Sequence, residues 1–236
     1  MKPPSRRVLV TGCSRGIGLE FVRQLLARGD RVLATCRDPA QADALSALAA
    51  DAGAALGIAA LEVTDPASRA AVLAAAEARW GALDVLINNA GVLRRGEVFG
   101  ALDAHDFRAA FETNTLAPLL FTEAAAPLLA RGEVPRVAYL SSTLGSIANT
   151  QGFYTVSYGV TKAGLNMGAR HLAAPLAALG IRSVLLHPGW VQTEMGGAGA
   201  TLTPTESVRG LLAVIDGLSD EARAPFLDWR GEPLPW

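Results

Sequence analysis

The sequence predicts an α/β protein, a single domain with a doubly wound parallel sheet of about seven strands and helices on both faces. Short apolar segments alternate with longer helical patterns along the 236 residues, which is typical of βαβ units with right-handed crossovers. Segments such as 8–10 and 184–186 are apolar throughout, as expected for strands covered on both faces. No linker, repeat or change of composition divides the chain, so residues 1–236 are expected to form one domain.

Capping and turn residues set the expected elements in order. A strand at 8–11 precedes a helix at 17–28, which ends at Gly29. Asp65 and Pro66 form an N-cap and a first-turn proline for a helix that ends at Trp80. The other expected strands are 31–35, 56–61, 84–88, 136–141, 181–187 and 225–229, and the other helices are 40–52, 104–131, 156–179 and 204–218.

Composition and charge exclude several classes of protein. Half of the residues are hydrophobic and the net charge is −1, which indicates a globular chain and favours neither a nucleic-acid partner nor an anionic membrane. No stretch of about 18 apolar residues is present and the N-terminus lacks a signal-peptide pattern. We therefore expect a cytoplasmic protein without a membrane span.

The cysteines and histidines give no sign of a metal site. Cys13 and Cys36 lie near the N-terminus, and we expect them to be reduced, inert thiols. His105, His171 and His187 are isolated in the sequence and have no neighbours at metal-ligand spacing. No metal is expected.

A glycine-rich segment joins the first strand to the first helix. Its glycines allow a tight turn and close approach of the backbone to a pyrophosphate, and the helix start then offers free N–H groups. A P-loop is excluded because no Gly-Lys-Ser/Thr follows. The expected cofactor contacts here are Gly12, Ser14, Arg15, Gly16, Ile17 and Gly18.

The glycine spacing resembles the TGxxxGxG loop of short-chain dehydrogenases/reductases, and five further motifs follow in the order of that family. They are Asn88-Asn89-Ala90-Gly91, Asn114, Ser141-Ser142, Tyr158 with Lys162, and Pro188-Gly189 with Val191 and Thr193. Segments 140–147, 187–190, 194–197 and 227–236 look like the sniffer-like and C-factor-like carbonyl reductases. The resemblance implies a Rossmann-type strand order 3-2-1-4-5-6-7 and a carbonyl reductase-like activity (EC 1.1.1.-).

Tyr158 and Lys162 are four residues apart and therefore share one face of a helix. Reduction of a carbonyl needs a proton donor at its oxygen, and a nearby ammonium is expected to lower the pKa of the phenol. An isolated pair of this kind would be interpreted as a pair on an amphipathic helix, but the other motifs favour catalysis. The resemblance implies that Lys162 binds the nicotinamide ribose and that Asn114 links Lys162 to a water relay.

The resemblance also implies a serine that holds the substrate oxygen beside Tyr158. Ser141 and Ser142 are adjacent, so strand alternation directs them to opposite sides. We favour Ser142, because the family's serine is the second of the pair. The loop between Ser142 and Tyr158 is longer than is usual in the family.

The end of the second strand predicts NADPH or NADP⁺ rather than NADH. In this fold an acid at this position binds the ribose of NAD, whereas an arginine accommodates the 2′-phosphate. Arg37 stands there, and Arg15 could reach the same phosphate. The alternative is that both arginines are solvated and Asp38 binds the ribose.

The resemblance implies further contacts with the dinucleotide. Glu62 replaces the usual aspartate beside the adenine, and Val63 is expected to supply a backbone donor. Thr193 and Val191 are expected to hold the carboxamide. The remaining contacts are expected from Asn89, Ala90, Gly91, Tyr158, Lys162, Pro188 and Gly189.

Two loops are expected to enclose the substrate. The catalytic loop and helix span about 141–179, and a glycine-rich lid spans about 189–204. The apolar, aromatic character of the walls predicts small aldehydes, ketones or quinones, although Phe153 and Trp190 are alternatively core residues. Arg94 and Arg95 either rim the entrance or lie in a solvated loop. The expected pocket residues are Thr143, Leu144, Phe153, Tyr154, Trp190 and Met195.

Other functions remain open at this point. A C-factor-like signalling or sensor protein would bind NADPH with little turnover. A sugar-nucleotide epimerase is disfavoured because the chain lacks a C-terminal substrate domain. The resemblance implies a homodimer or homotetramer whose only other partner is a small-molecule carbonyl or alcohol.

Overall fold

The computed structural model describes residues 5–219 and 223–236. It has a seven-stranded parallel sheet in the order β3-β2-β1-β4-β5-β6-β7. The strands are β1 (Arg7–Val10), β2 (Arg31–Cys36), β3 (Leu56–Ala60), β4 (Val85–Asn88), β5 (Arg136–Leu140), β6 (Arg182–His187) and β7 (Arg223–Asp228). The predicted fold class and strand order are therefore confirmed.

Seven helices connect the strands in the described part of the chain. They are α1 (Gly16–Arg28), α2 (Asp43–Ala52), α3 (Pro66–Trp80), α4 (Ala104–Phe111), α5 (Ala117–Leu129), α6 (Val156–Ala178) and α7 (Pro204–Asp216). Most boundaries lie within a few residues of the prediction, since capping residues such as Gly29 and Asp65 mark them. None of these helices is both long and apolar enough to cross a membrane.

One predicted element is wrong in detail. The sequence pattern predicts an unbroken helix over 104–131, but a π-helical turn (Glu112–Leu116) separates α4 from α5. Pro118 follows this turn and has no N–H to donate to the carbonyl of Asn114, its regular α-helical acceptor. The wider turn is therefore placed at Asn114, and such π-turns are frequent at functional sites.

Helices cover the sheet on both faces. Apolar residues of α1, α2 and α7 pack on one face, including Phe21, Leu45 and Leu211. Residues of α3, α5 and α6 pack on the other, including Val72 and Phe121. In the sheet, β2 lies on one side of β1 and β4 lies on the other. The connections that leave β1 and β4 therefore diverge to opposite faces, which creates a crevice at the carboxyl ends of these strands. Ligands bind at this position in such folds.

Candidate active site

The glycine turn (residues 12–18) lies in this crevice between β1 and α1. Gly12 has a φ of +71°, and a β-carbon on Gly18 would lie 2.1 Å from the carbonyl oxygen of Gly12. Only glycine fits at both positions, because one backbone is left-handed and the other touches its neighbour. Arg15 precedes α1 in an extended conformation, and no side chain caps the start of the helix. The first-turn N–H groups and the helix dipole are thus available to an anion.

The asparagine turn (residues 88–91) is bonded directly to the glycine turn. The Thr11 hydroxyl accepts from the amides of Asn89 at 3.0 Å and Ala90 at 2.9 Å. The Asn89 amide group donates in return to the carbonyls of Thr11 at 2.8 Å and Gly12 at 3.0 Å. Thr11 thus holds two of the predicted cofactor segments together. Thr11 was not among the predicted site residues, although its position directly before Gly12 is a sequence signal for such a role.

The end of β2 distinguishes the two cofactor hypotheses. Asp38 is the N-cap of a short 3₁₀ turn, and its carboxylate accepts from the Ala40 amide at 3.0 Å and from Gln41 at 2.7 Å. Arg37 is exposed beside it and forms no ion pair with any residue that the structure describes. The carboxylate is therefore engaged in local structure, whereas the guanidinium of Arg37 has room to meet a phosphate.

The other charged residues of the predicted cofactor site make local contacts. Arg15 forms an exposed ion pair with Glu194 of the lid, with 3.0 Å between Nε and Oε2. Glu62 accepts from the amide and hydroxyl of Thr64 at 3.1 and 2.9 Å. The Val63 carbonyl accepts from Arg69 at 2.7 Å.

Tyr158 and Lys162 lie together on α6, as their spacing predicts. The Lys162 ammonium lies 5.5 Å from the centre of the Tyr158 ring. It donates to the carbonyl of Leu140 at 2.7 Å, at the end of β5. Lys162 is only 4% exposed, and its bond to the Leu140 carbonyl uses one of three ammonium protons, which leaves others for further ligands.

The expected electrostatic effect of Lys162 on Tyr158 is corrected by the structure. Burial raises the pKa of Tyr158 to about 12, and a hydrogen-bonding interaction with Ser142 acts in the opposite direction. Burial lowers the pKa of Lys162 to about 8. The prediction of a lowered phenol pKa was wrong because loss of hydration disfavours the charged form of both groups. At neutral pH the phenol is protonated and the lysine is mostly charged.

The structure separates the two adjacent serines. The Ser141 hydroxyl is buried and donates to Asn166 at 2.6 Å. Ser142 is on the other side, where its hydroxyl is close enough to Tyr158 to lower the phenol pKa. It also accepts from the amide of Leu144 at 3.1 Å and caps a 3₁₀ turn (Thr143–Gly145), named here the serine turn. Ser142 is therefore the serine that faces the phenol.

Asn114 is fully buried in the π-helical turn. Its side chain exchanges two hydrogen bonds of 2.8 Å with the backbone of Val92 and donates to the Thr161 hydroxyl at 3.1 Å. A β-carbon on Gly91 would lie 3.2 Å from Asn114 Oδ1 and 3.7 Å from Lys162 Nζ. The asparagine, the lysine and the end of the asparagine turn therefore meet at one point.

The lid (residues 189–204) folds over the glycine turn. A β-carbon on Gly16 would lie 3.4 Å from the Thr193 methyl group, so Thr193 sits against the start of α1. Val191 forms an isolated bridge with Leu202, which closes the lid on itself. The Ser207 hydroxyl donates to the Pro188 carbonyl at 2.6 Å, which holds the residue directly before the lid to α7.

The predicted substrate residues divide between two places. Thr143, Leu144 and Tyr154 line a cavity of about 190 Å³ between the serine turn, the following loop and α6, but neither Ser142 nor Tyr158 lines it. Trp190 and Met195 lie on the lid and are largely exposed. Phe153 and Trp190 are 44% and 57% exposed, so the alternative that they are core residues is wrong.

A loop that the sequence analysis left almost unassigned connects these parts. In residues 92–103, Arg95 donates to the carbonyl of Met195 in the lid, and the Glu97 carboxylate accepts from the Ser157 amide at 3.1 and 3.2 Å. Phe99 packs edge-to-face on Phe153. The 92–103 loop thus contacts both the lid and the start of the helix that carries Tyr158. Arg95 is exposed on this loop and contacts the lid, as a residue at the rim of the site would.

The titratable groups outside this site have structural explanations. Cys13 and Cys36 are buried, and burial raises the pKa of both thiols, which makes them poor nucleophiles. Asp103, His105 and Asp106 lie close together at the start of α4. Asp103 is the N-cap of that helix, so this cluster has a capping role.

Fold and site are those of a Rossmann-type protein with a dinucleotide crevice and an oxidoreductase-like tyrosine–lysine pair. Residues 6–201 match the short chain dehydrogenase family. The chain belongs to this family.

Individual relatives agree with this assignment. The C-signal protein of Myxococcus xanthus is 47% identical over 66% of this chain and 94% of that protein. An NADPH-bound carbonyl reductase from chicken fatty liver is 40% identical with a TM-score of 0.91, covering 98% of this chain and 99% of the other. The carbonyl reductase Sniffer of D. melanogaster is 29% identical with a TM-score of 0.94, and the match covers 99% of this chain and 100% of the other.

Proposed function

We propose that this protein is an NADPH-dependent oxidoreductase that reduces small aldehydes, ketones or quinones to alcohols or hydroquinones. One observation carries the proposal: the buried ammonium of Lys162 lies 5.5 Å from the centre of the Tyr158 ring, and Ser142 is near enough to lower the pKa of the phenol. This group stands at the carboxyl edge of the sheet, beside a glycine turn that can admit a pyrophosphate.

The residues present fit NADPH. The uncapped start of α1 suits the pyrophosphate, and Gly12 and Gly18 leave the space that a β-carbon would fill. Arg37 suits the 2′-phosphate, with Arg15 as a second guanidinium. When bound, NADPH supplies the hydride. Support also comes from the relative of chicken fatty liver, which binds NADPH.

Tyr158 is the proposed proton donor in the reduction. Negative charge develops on the carbonyl oxygen as the carbonyl carbon is reduced, and an alkoxide is a stronger base than a phenolate. Transfer of the phenol proton to that oxygen is therefore favourable even from a group whose pKa is about 12. The reverse reaction needs Tyr158 as phenolate, so the high pKa favours reduction at neutral pH.

Ser142, Lys162 and Asn114 support this transfer in different ways. The Ser142 hydroxyl orients the substrate oxygen and stabilises charge on the phenol oxygen. Lys162 is charged near neutral pH and lies close to the ring, so it stabilises the phenolate that remains after transfer. Asn114 holds the turn beside Lys162, and we propose that its backbone carbonyl, which Pro118 cannot satisfy, receives a water that resupplies the proton.

Substrate size follows from the walls of the site. The exposed aromatic and sulfur side chains of Phe153, Trp190 and Met195 lie on the two loops that border the crevice. Apolar contacts of this type suit small aromatic or aliphatic carbonyls. Two arginines of the described 92–103 loop are already engaged, Arg95 by the lid and Arg94 by Asp106, which disfavours a phosphorylated or carboxylated substrate.

A signalling or sensor role is the second candidate, favoured by the 47% identity with C-signal of Myxococcus xanthus. Oxidation of NADPH with a panel of aldehydes, ketones and quinones, together with an NADPH fluorescence titration, separates the candidates. Turnover of at least one carbonyl supports the enzyme. Tight NADPH binding without turnover of any carbonyl would support the sensor and contradict the enzyme.

We also propose a homodimer or homotetramer. The outward faces of α5 and α6 expose Leu120, Val160 and Met167, and exposed apolar surface of this kind is common at subunit contacts. Light scattering in solution tests the proposal, since a monomeric mass at all concentrations would contradict it.

A further inference from the structure

The serine turn is attached to the helix that carries Tyr158 and Lys162 along a single face of that helix. A β-carbon on Gly159 would lie 3.0 Å from the Leu144 carbonyl oxygen. One turn further, a β-carbon on Gly145 would lie 2.7 Å from the Lys162 β-carbon. The third contact is with Asn166, again one turn further along α6. Positions 159, 162 and 166 are three and four residues apart, so they lie above one another.

Asn166 provides polar attachments on both sides of Ser142. It accepts from the Ser141 hydroxyl at 2.6 Å and donates to the Gly145 carbonyl at 3.3 Å. Ser141 and Gly145 bracket the serine turn at its two ends. Ser141 and Asn166 are 2% and 3% exposed, so water does not replace either bond when it is lost.

The internal hydrogen bonds of the serine turn fix its shape but not its place. The Gly145 amide donates to the Ser142 carbonyl at 2.9 Å, and the Ser146 amide donates to the Thr143 carbonyl at 3.0 Å. These bonds are local and would survive a shift of the whole turn. The contacts with Gly159 and Lys162 are steric and prevent closer approach, whereas the bonds to Asn166 oppose movement away from α6.

We propose that Asn166 is a positioning residue that holds the Ser142 hydroxyl in hydrogen-bonding reach of Tyr158. This inference rests on the proposed function, because the Ser142–Tyr158 pair is the reacting pair of that function. Asn166 touches neither the phenol nor the site of the substrate oxygen, and acts through the placement of the serine turn. Asn166 thereby fixes the serine turn against α6, while Lys162 holds the end of β5 to the same helix through the Leu140 carbonyl.

Kinetic coupling between Asn166 and Ser142 tests the proposal. Asn166→Ala should lower kcat about tenfold or more while the affinity for NADPH is unchanged, since one buried hydrogen-bond pair is lost. In a Ser142→Ala background the same change should have almost no further effect, because there is no longer a hydroxyl to position. Single-turnover measurements at high enzyme concentration keep the Ser142→Ala rate measurable.

Leu165→Ala is the matched control. Leu165 is a buried neighbour on the same helix that packs into the core, so its loss lowers stability without touching the serine turn. Its effect on kcat should be equal in the wild-type and Ser142→Ala backgrounds. Equal effects of Asn166→Ala in both backgrounds would show that Asn166 only stabilises the fold, and would overturn the proposal.

Hydrogen exchange gives a result that does not depend on turnover. In Asn166→Ala the amides of Leu144, Gly145 and Ser146 should exchange faster than in the wild type. In Leu165→Ala their exchange rates relative to those of the α6 amides should be unchanged. Unchanged exchange in Asn166→Ala would contradict the positioning role. A wild type that binds NADPH but reduces no carbonyl would contradict the proposed function alone. Hydrogen exchange of the serine-turn amides would still test whether Asn166 holds the turn in place.

Discussion

The ammonium of Lys162 lies 5.5 Å from the centre of the Tyr158 ring and is bonded to the carbonyl of Leu140. Burial acts on the two groups in opposite directions: the pKa of Tyr158 rises to about 12, and that of Lys162 falls to about 8. A neutral phenol beside a charged ammonium is the protonation state that the proposed reduction needs. The site is therefore prepared to donate a proton near neutral pH.

The direction of these shifts predicts a pH dependence that differs for the two reactions. Alcohol oxidation needs Tyr158 as phenolate, so its rate should rise roughly tenfold for each pH unit below the phenol pKa. Carbonyl reduction uses the phenol and should change little up to about pH 8, and should then fall as Lys162 loses the charge that stabilises the phenolate. Initial rates in both directions between about pH 6 and pH 10 check this. An oxidation rate independent of pH would contradict the role of Tyr158 as base.

Lys162→Met should abolish activity and yet stabilise the fold near neutral pH. The unfolded pKa of lysine is about 10.4 and the folded value is about 8, so the unfolded chain binds more protons between these values and stability rises with pH there. The penalty for burying the charge, on the order of 1–3 kcal/mol, is complete below pH 8 and is lost above about pH 10. Denaturant unfolding should show that the free energy of unfolding gained by Lys162→Met shrinks between about pH 8 and pH 10. Leu165→Met should show no such pH dependence.

Arg37→Asp should raise the KM for NADPH about tenfold to a hundredfold, because charge-assisted contacts with the 2′-phosphate are replaced by repulsion. The KM for NADH should change much less. Arg31→Asp is the matched control, since Arg31 is exposed at the opposite end of the same strand. An unchanged preference for NADPH in Arg37→Asp would remove the assigned role of this arginine.

Glu97→Ala should lower kcat through the position of α6. Its carboxylate accepts from the Ser157 amide, directly before Tyr158, and loss of such a cap costs about 0.5–2 kcal/mol of stability. Asp65→Ala removes the cap of α3, far from the chemistry in the sequence, and should cost a similar amount of stability with kcat retained. Equal kcat values for the two variants would show that Glu97 has no influence on the site.

Much of the fold was predictable from the sequence because it depends on local patterns. Apolar strands and capped helices, such as the one between Asp65 and Gly81, are set by residues close together in the chain. The π-helical turn was missed because the helical pattern continues through it, although Pro118 was a visible reason for a break.

The motifs of the site were predicted from the sequence, but the burial of its residues and the loop contacts around them were not. The spacing of Tyr158 and Lys162 predicts their shared face, yet their pKa values depend on how deeply they are buried, which spacing does not contain. The bond between Glu97 and Ser157 joins a loop to the first turn of α6, sixty residues further along the chain. Such contacts follow from the packing of loops and have no periodic signal.

The most direct test of the account is the kinetics of Tyr158→Phe. This change removes only the phenol hydroxyl, so NADPH should bind with wild-type affinity and the fold should be retained. Reduction of the best carbonyl from the panel should fall by about 10²–10⁴-fold, the usual contribution of a general acid. Turnover within a few-fold of the wild type would show that another group delivers the proton and would contradict the account.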